Sequence, residues 1–502
     1  MKNGTRLAAV DLGSNSFRLE IGQVDHGQFF RTEYLKETVR QGNGLDEDRN
    51  LTGESIQRGL DCLARFGERL AGFQPAEVRA VATQTLREAR NRDVFLAKAN
   101  KVLGFPIDVI SGREEARLIY QGVAHMLPPS SERRLVLDIG GRSTELILGQ
   151  GTEPKEMASY RVGSVAWSTR YFPQGQFTKN AFAVAEIAAK AVLDEALGTY
   201  RRDAWDQAYG SAGTVGAVGD VLEAAGRPAG LVSRDGLDWL LEQLITAQST
   251  DRLRMAGMKE DRRAVIGGGL SILRAVFDLL QIDTLNLASG GLRHGLIHDL
   301  MGSTDEQTNL PGISVKRLAV RFDVDSGQGE RVAKVACVLF SQLLAGRAGK
   351  LSEDDQLQMR KLEWAAQLHE IGVQISHSDY HKHGAYILDN ADAVGLSLPQ
   401  LHRLGQLVLG HRGKLRKLDL DFDDGIFILQ LLSLRLSVIL CHARRDPDIH
   451  GLRLTLEPSK PQEITLACRR GWAAAYPQSA HLLNEEVLAW QKTRWSLSLN
   501  GL

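Results

Sequence analysis

The sequence predicts an α/β protein of two similar lobes, followed by a helical domain and a small α+β tail. Three observations carry that prediction. The stretch AAVDLGSNSFRLEIGQV at 8–24 is spelled again as VLDIGGRSTELILGQG at 136–151. Aligned on Asp11 and Asp138, Gly13 meets Gly140, Ser16 meets Ser143, Leu19 meets Leu146, and Gly22-Gln23 meets Gly149-Gln150. Strand-like and helix-like segments alternate around both copies, as in sheets covered by helices. From about residue 315 helical spacing of apolar residues dominates, and strand-like pieces such as LRLTL and EITLA return only after 451.

Bulk properties set the limits. At 502 residues the chain is too long for one core, and about 150 residues per domain gives three or four. With 43% hydrophobic and 24% charged residues it can bury large cores and is not disordered as a whole. Lys plus Arg and Asp plus Glu balance at 61 each, so no global field marks a nucleic-acid binder, and any polyanion site must be local. Cys62, Cys337, Cys441 and Cys468 are far apart without CxxC spacing, which argues against a disulfide framework or zinc site and for a reducing cytoplasm. MKNGTRLAAVDLG has no apolar run, and no uninterrupted apolar run of about 18 residues occurs. Neither a signal peptide nor integral membrane association is expected.

Taken in order, an apolar strand before Asp11, a glycine and serine turn, and a strand with Phe17, Leu19 and Ile21 alternating with Arg18 and Glu20 read as a hairpin with a polar tip. Residues 53–72 and 92–103 have helical spacing, and 77–83 and 106–110 look like strands. The second copy repeats the hairpin. Helix formers dominate 179–226, broken by YGSAGT at 209–214, and IGGGLSIL at 266–273 and LNLASGGLRHG at 285–295 restore strand, glycine turn and helix. STDEQTNLPG at 303–312 reads as a linker. The expected domains are 1–123, 124–303, 304–447 and 448–502.

The tips suggest chemistry. Gly, Ser, Asn and Thr offer backbone N–H groups and hydroxyls without bulk, which suits a phosphate. Asp11 and Asp138 are placed to hold a divalent cation against phosphate oxygens. The alternative is that each tip is simply a tight hairpin, and the matched pair favours the clamp. In SGREEARLIYQGV at 111–123, Ser111 and Glu114 have capping-box spacing, so Glu114 is expected at the helix start. Glu115 shares a helix face with Leu118, Ile119 and Gly122, pointing inward, where burial would raise its proton affinity and fit it to take a proton from water. The alternative is a solvated first-turn acid.

DLGSNSF, TQTLREARN, ISGREEARLIYQGV and LVLDIGGRSTEL, in this order, resemble the exopolyphosphatase and guanosine pentaphosphate phosphatase family, on its bacterial exopolyphosphatase side, through about residue 450. The resemblance implies duplicated lobes of the actin, Hsp70 and sugar-kinase (ribonuclease H-like) fold. It implies that Glu115 is the catalytic glutamate, that Asp138 and Glu145 are associated with magnesium, and that Ser14, Asn15, Ser16, Gly140, Gly141, Ser143 and Thr144 form the phosphate loops. Asp11 and Gly13 belong to the first tip, and Gly213 of GSAGT joins the phosphate-binding set. Arg87 matches a phosphate-gripping residue, the alternative being a surface arginine paired with Glu88 or Asp93. Departures from the family pattern are Arg142, which either adds a phosphate contact or crowds its loop, the GSAGT order at 210–214, and Ser289 and Gly291 in place of DGALREG.

LHEIGVQISHSDYHKHGAYIL at 368–388 resembles an HD phosphohydrolase domain in which His369-Glu370 replaces the His-Asp pair, so no second active site is expected. His377, His381 and His383 are either metal ligands or packing and polar surface. Arg412, Lys414, Arg416 and Lys417 of HRGKLRK read as a possible polyphosphate channel or as a solvated face. The expected activity is magnesium-assisted hydrolysis of terminal phosphate from inorganic polyphosphate. The alternative is 5′-phosphate removal from guanosine pentaphosphate, with a small-molecule kinase or a non-catalytic nucleotide sensor more distant. A homodimer is expected from the resemblance.

Overall fold

The computed structural model describes residues 3–26, 28–128, 130–302, 310–345, 352–391, 393, 396–415, 418, 421–457 and 460–501. They form two compact units, Met1–Thr308 and Asn309–Leu502.

The first unit contains two sheets. Strands β1 (Arg6–Leu12), β2 (Phe17–Asp25), β3 (Gln28–Glu37), β4 (Val78–Ala82) and β5 (Ile107–Val109) are ordered β3-β2-β1-β4-β5. Strands β6 (Arg133–Ile139), β7 (Thr144–Gln150), β8 (Glu153–Tyr160), β9 (Gln207–Ser211), β10 (Leu231–Ser233) and β11 (Thr284–Leu287) are ordered β10-β11-β9-β6-β7-β8. Each sheet opens with three antiparallel strands and continues with parallel ones beside its first strand, the second sheet ending in β10, which is antiparallel to β11. The repeated phrase is therefore β1–β2 and β6–β7, with each polar tip just past the carboxyl end of a central strand, where open α/β sheets bind ligands.

The helix Gly112–Ala124 carries Glu115 and has two apolar sides. Leu118 packs with Leu7, Ala9 and Val81 of the first sheet, and Ala116, Ile119, Tyr120 and Val123 pack with Val136 and Ile147 of the second. A helix wedged between two sheets in this way brings its first turn to both tips. The helix Leu292–Gly302 returns to the first sheet, where Leu296 and Ile297 join Leu7 and Ala9. This explains why the polar alternation expected along 17–21 does not reach solvent: Glu20 faces the returning helix and is 1% exposed.

The two helices touch through glycine. A Cβ on Gly295 would lie 2.0 Å from the Leu118 carbonyl oxygen, and one on Gly122 would lie 2.0 Å from that of Gly291. Backbone cannot yield there as a side chain can, so Gly295→Ala is expected to cost about 3 kcal/mol, seen as a lower denaturation midpoint. An unchanged midpoint would contradict this packing.

IGGGLSIL departs from expectation. Ile266–Leu279 is one continuous helix, and Gly267, Gly268 and Gly269 lie against Phe172, Ser168 and Thr214. The glycines admit close neighbours rather than making a turn, so packing offsets their poor helix propensity.

In the second unit the helices Ser326–Ala345, Glu353–Gln367, Leu398–Gly410 and Gly425–Leu440 share one core with the sheet of β12 (Leu452–Glu457), β13 (Lys460–Cys468) and β14 (Ser496–Asn500). Of the expected linker, 303–309 lie outside the described residues. Residues 310–312 instead open the helix Leu310–Arg321, whose first turn tolerates Pro311. Among the described residues no helix is long and apolar enough to cross a membrane, and the four cysteines are free.

Candidate active site

A cleft of about 350 Å³ in the first unit is lined by Asp11, Gly13, Ser14, Asn15 and Ser16 of one tip, Asp138, Gly140, Gly141 and Ser143 of the other, and by Glu115 and Gly213. The tips are built alike. A Cβ on Gly13 would come within 3.0 Å of the Ser16 carbonyl oxygen, and one on Gly140 within 3.1 Å of that of Ser143. They also meet, since a Cβ on Gly141 would lie 3.1 Å from Ser14 Cβ. Asn15 Nδ2 and Ser16 Oγ are buried and have no hydrogen-bond partner among the described residues. Buried polar atoms are seldom left so, and an anion between the tips would satisfy them.

The helix Ala212–Ala224 begins at the cleft. Ala212 holds a φ of 66°, a left-handed conformation that a side chain makes unfavourable. Thr214 Oγ1 donates to the Ile139 carbonyl at 2.9 Å, which ties this helix start to the second tip. N–H groups of a helix start are ready partners for phosphate.

Glu115 is 8% exposed and accepts a 2.8 Å hydrogen bond from Arg87 Nη1. Burial pushes its proton affinity up, and Arg87 opposes the shift. Asp138 lies opposite Glu145 in the β6–β7 register. Burial first, then the charge of Glu115, pushes Asp138 up to about 7. Burial, then Glu115 and Asp138, pushes Glu145 well above the usual carboxylate range. Glu145 does not line the cleft; it accepts from Ser159 Oγ at 2.7 Å.

Four expectations are corrected. Arg87 is not among the cleft-lining residues and pairs with neither Glu88 nor Asp93, because its fork is filled by Glu115, the Ile110 carbonyl and Gln84. It positions Glu115. Thr144 is fully buried and donates to the Val162 carbonyl at 2.6 Å, so its hydroxyl braces the second tip from behind. Arg142 neither reaches into the cleft nor crowds it, since Glu88 at 2.6 Å and the Gly42 carbonyl at 3.0 Å hold it. Ser111 accepts the Glu114 N–H, but the Glu114 carboxylate turns to Arg117 in a bidentate pair.

The sequence reading missed a basic wall. Arg18, Lys36, Arg262, Arg293 and His294 line the same cleft, with Tyr34 among them. Arg18 lies 3.3 Å from Asp11, and Lys36 lies 2.6 Å from Asp261. Arg293 pairs with Glu20 at 3.1 Å and Asp11 at 3.5 Å. Arg262 sits over Gly213, where any Cβ would strike it. Burial, and then neighbouring Arg18, pull Arg262 below its ordinary proton affinity despite Asp261. The one signal available was phase: Arg18 falls on the strand face that Asp11 shares.

In the second unit His369 is buried and bound to the Ala366 carbonyl, and Glu370 is held by Arg444 at 2.7 Å. His377 is exposed, His381 buried and His383 half-buried. Among the described residues no three His, Cys, Asp or Glu side chains are grouped to hold a metal. Arg412 stacks over Tyr380 at 4.8 Å and Lys414 is exposed, while Arg416 and Lys417 lie outside the described residues.

Two sheets of matching order that face paired tips across a cleft define an actin-like two-lobed α/β protein. The fold matches an exopolyphosphatase from Cytophaga hutchinsonii, 24% identical, with a TM-score of 0.54 over 59% of this chain and 98% of that one. It also matches a Ppx/GppA family member from Aquifex aeolicus, 24% identical, with a TM-score of 0.50 over 61% and 99%. Residues 21–304 match the Ppx/GppA phosphatase family and 312–487 match Ppx/GppA phosphatase, domain III. The chain belongs to the Ppx/GppA phosphatase family and is a phosphoanhydride hydrolase. It is 38% identical over 498 residues, 99% of this chain and 98% of the relative, to a guanosine-5′-triphosphate,3′-diphosphate pyrophosphatase of Vibrio atlanticus. A protein of the same name from Vibrio cholerae is 37% identical over 497 residues, 98% of this chain and 97% of the relative.

Proposed function

We propose that the protein removes the terminal 5′-phosphate of guanosine pentaphosphate, with inorganic polyphosphate as the second reading. End-to-end similarity to relatives named for that nucleotide supports the first; the likeness to an exopolyphosphatase is one of fold.

The single observation behind the chemistry is Glu115, buried, held by Arg87 and facing the space between two tips, the first of which buries polar atoms that have no hydrogen-bond partner among the described residues. The tips and the start of the helix Ala212–Ala224 bind and orient the terminal phosphate. Glu115 orients a water and takes its proton as the water oxygen bonds to phosphorus. The bond from phosphorus to the bridging oxygen breaks, and inorganic phosphate separates from the shortened chain. Arg18, Arg262 and Arg293 bind the phosphates on the leaving side. Asp138 lines the cleft with Glu145 opposite it across the β6–β7 pair, and so small a carboxylate set fits magnesium, which takes few protein ligands and fills its shell with water and phosphate oxygens. Asp138 would hold it at the cleft, with Glu145 supporting it from across the β6–β7 pair, and bound there it would offset phosphate charge.

Purified protein with magnesium is expected to release phosphate faster from guanosine pentaphosphate than from long-chain polyphosphate at equal terminal concentrations. The reverse order would restore the exopolyphosphatase reading, and release from neither would point to a kinase or sensor of the same fold.

A further inference from the structure

We infer that Tyr34 and Arg31, on the edge strand β3, form the subsite for the purine base and 3′-diphosphate of the substrate, an inference that rests on the nucleotide reading above. The sequence order of β3 hides this pair. A bulge sets Gly22 opposite Arg31 but Ile21 opposite Glu33, leaving Thr32 as the extra residue. Arg31, Tyr34 and Lys36 thereby come opposite Gly22, Glu20 and Arg18 and share one face. That face borders the cleft, since Arg18, Tyr34 and Lys36 all line it.

Tyr34 is 40% exposed and is the aromatic ring in a cleft lining rich in glycine, hydroxyls and charge. The Arg293 guanidinium lies 5.2 Å from the ring centroid and that of Arg31 5.4 Å. Their situations differ. Arg293 is fixed by Glu20 and Asp11, and Lys36 is neutralised by Asp261. The Arg31 side chain has no hydrogen bond or ion pair among the described residues, so it can leave the ring for a ligand. Arg31 does not itself line the cleft; it borders the cleft through the ring of Tyr34, which does.

A bare phosphate polymer has no use for an exposed aromatic face, whereas a nucleobase stacks favourably on one. Guanosine pentaphosphate carries phosphate groups on both sides of its ribose. With the 5′ chain directed to the tips, the base and the 3′-diphosphate remain at the mouth. Tyr34, steadied by Arg293, supplies the stacking face, and Arg31 supplies an uncommitted fork for the diphosphate.

The test compares kcat/KM for guanosine pentaphosphate, GTP and tripolyphosphate in the full chain and in Tyr34→Ala, Tyr34→Phe and Arg31→Gln. Tyr34→Ala is expected to lower the preference for guanosine pentaphosphate over tripolyphosphate about tenfold, with the loss carried by KM rather than kcat and mirrored in the Kd for guanosine tetraphosphate. Tyr34→Phe keeps the ring and the preference. Arg31→Gln lowers the preference for guanosine pentaphosphate over GTP, which lacks the 3′ group. If the wild type hydrolyses the nucleotide and Tyr34→Ala keeps its preference, the subsite alone is overturned. If the wild type hydrolyses tripolyphosphate and not the nucleotide, the nucleotide reading and the subsite fall together.

Discussion

Glu115→Gln is expected to lower phosphate release by about 1,000-fold, within the range a positioned general base contributes, while guanosine tetraphosphate binding stays within about threefold. The substitution is close to isosteric in a buried position, and the amide oxygen can still accept from Arg87 Nη1, which lies 2.8 Å from the carboxylate. The helix start is untouched, because Ser111 Oγ caps it through the Glu114 N–H. What disappears is the proton acceptor. Single-turnover release of phosphate, measured beside the Kd for guanosine tetraphosphate, separates the two effects. A variant that keeps more than a tenth of the wild-type rate would remove Glu115 as the base, and one that loses binding equally would make it a structural residue.

The parts of this site that could be read in the sequence are those spelled in consecutive residues. A tip that cradles phosphate needs small residues in a row, so DLGSNS and DIGGRS announce themselves, and duplication of the phrase gives the two lobes. Glu115 was readable because its inward phase is local to one helix. The basic wall was not, because Arg18, Lys36, Arg262 and Arg293 are brought together only by tertiary folding. Each looks by itself like a solvated charge. Glu20 misled through the same logic: alternation predicts one wet face, and the helix Leu292–Gly302 covers that face from far along the chain. Local propensity also failed at Gly267 to Gly269, where close neighbours decide the backbone. Arg87 was found as a residue, but its pairing with Glu115 was not, since only the fold brings the two together.

Arg117→Met is expected to destabilise the first unit by about 3–5 kcal/mol. The side chain is 2% exposed and forms a bidentate pair with Glu114 at 2.8 and 2.9 Å, while also donating to Asp299 at 3.1 Å and Gln121 at 2.6 Å. Arg79 completes the group, 2.7 Å from Asp299 and 3.6 Å from Glu114. Against its own burial, Arg117 and then Arg79 hold Asp299 below the usual carboxylate range. Methionine fills most of the volume but takes from Glu114 and Asp299 the guanidinium that bridges them, and the loss of that charge pairing outweighs the packing retained. Asp299→Asn added to Arg117→Met removes one of those charges and is expected to recover part of the loss, a non-additive result that a double-mutant cycle reads directly. Because Asp299 is depressed in the folded protein, its contribution is present above its unfolded value near 3.8 and is lost as pH falls through the lower folded one. The denaturation midpoint of Arg117→Met should therefore fall less on acidification than that of the wild type. This group ties the helix of Glu115 to the helix Leu292–Gly302 without lining the cleft, so phosphate release per folded molecule is expected to persist at low temperature. A variant as stable as the wild type would show the ion group to be dispensable, and one that folds but fails to turn over would place it in the catalytic machinery.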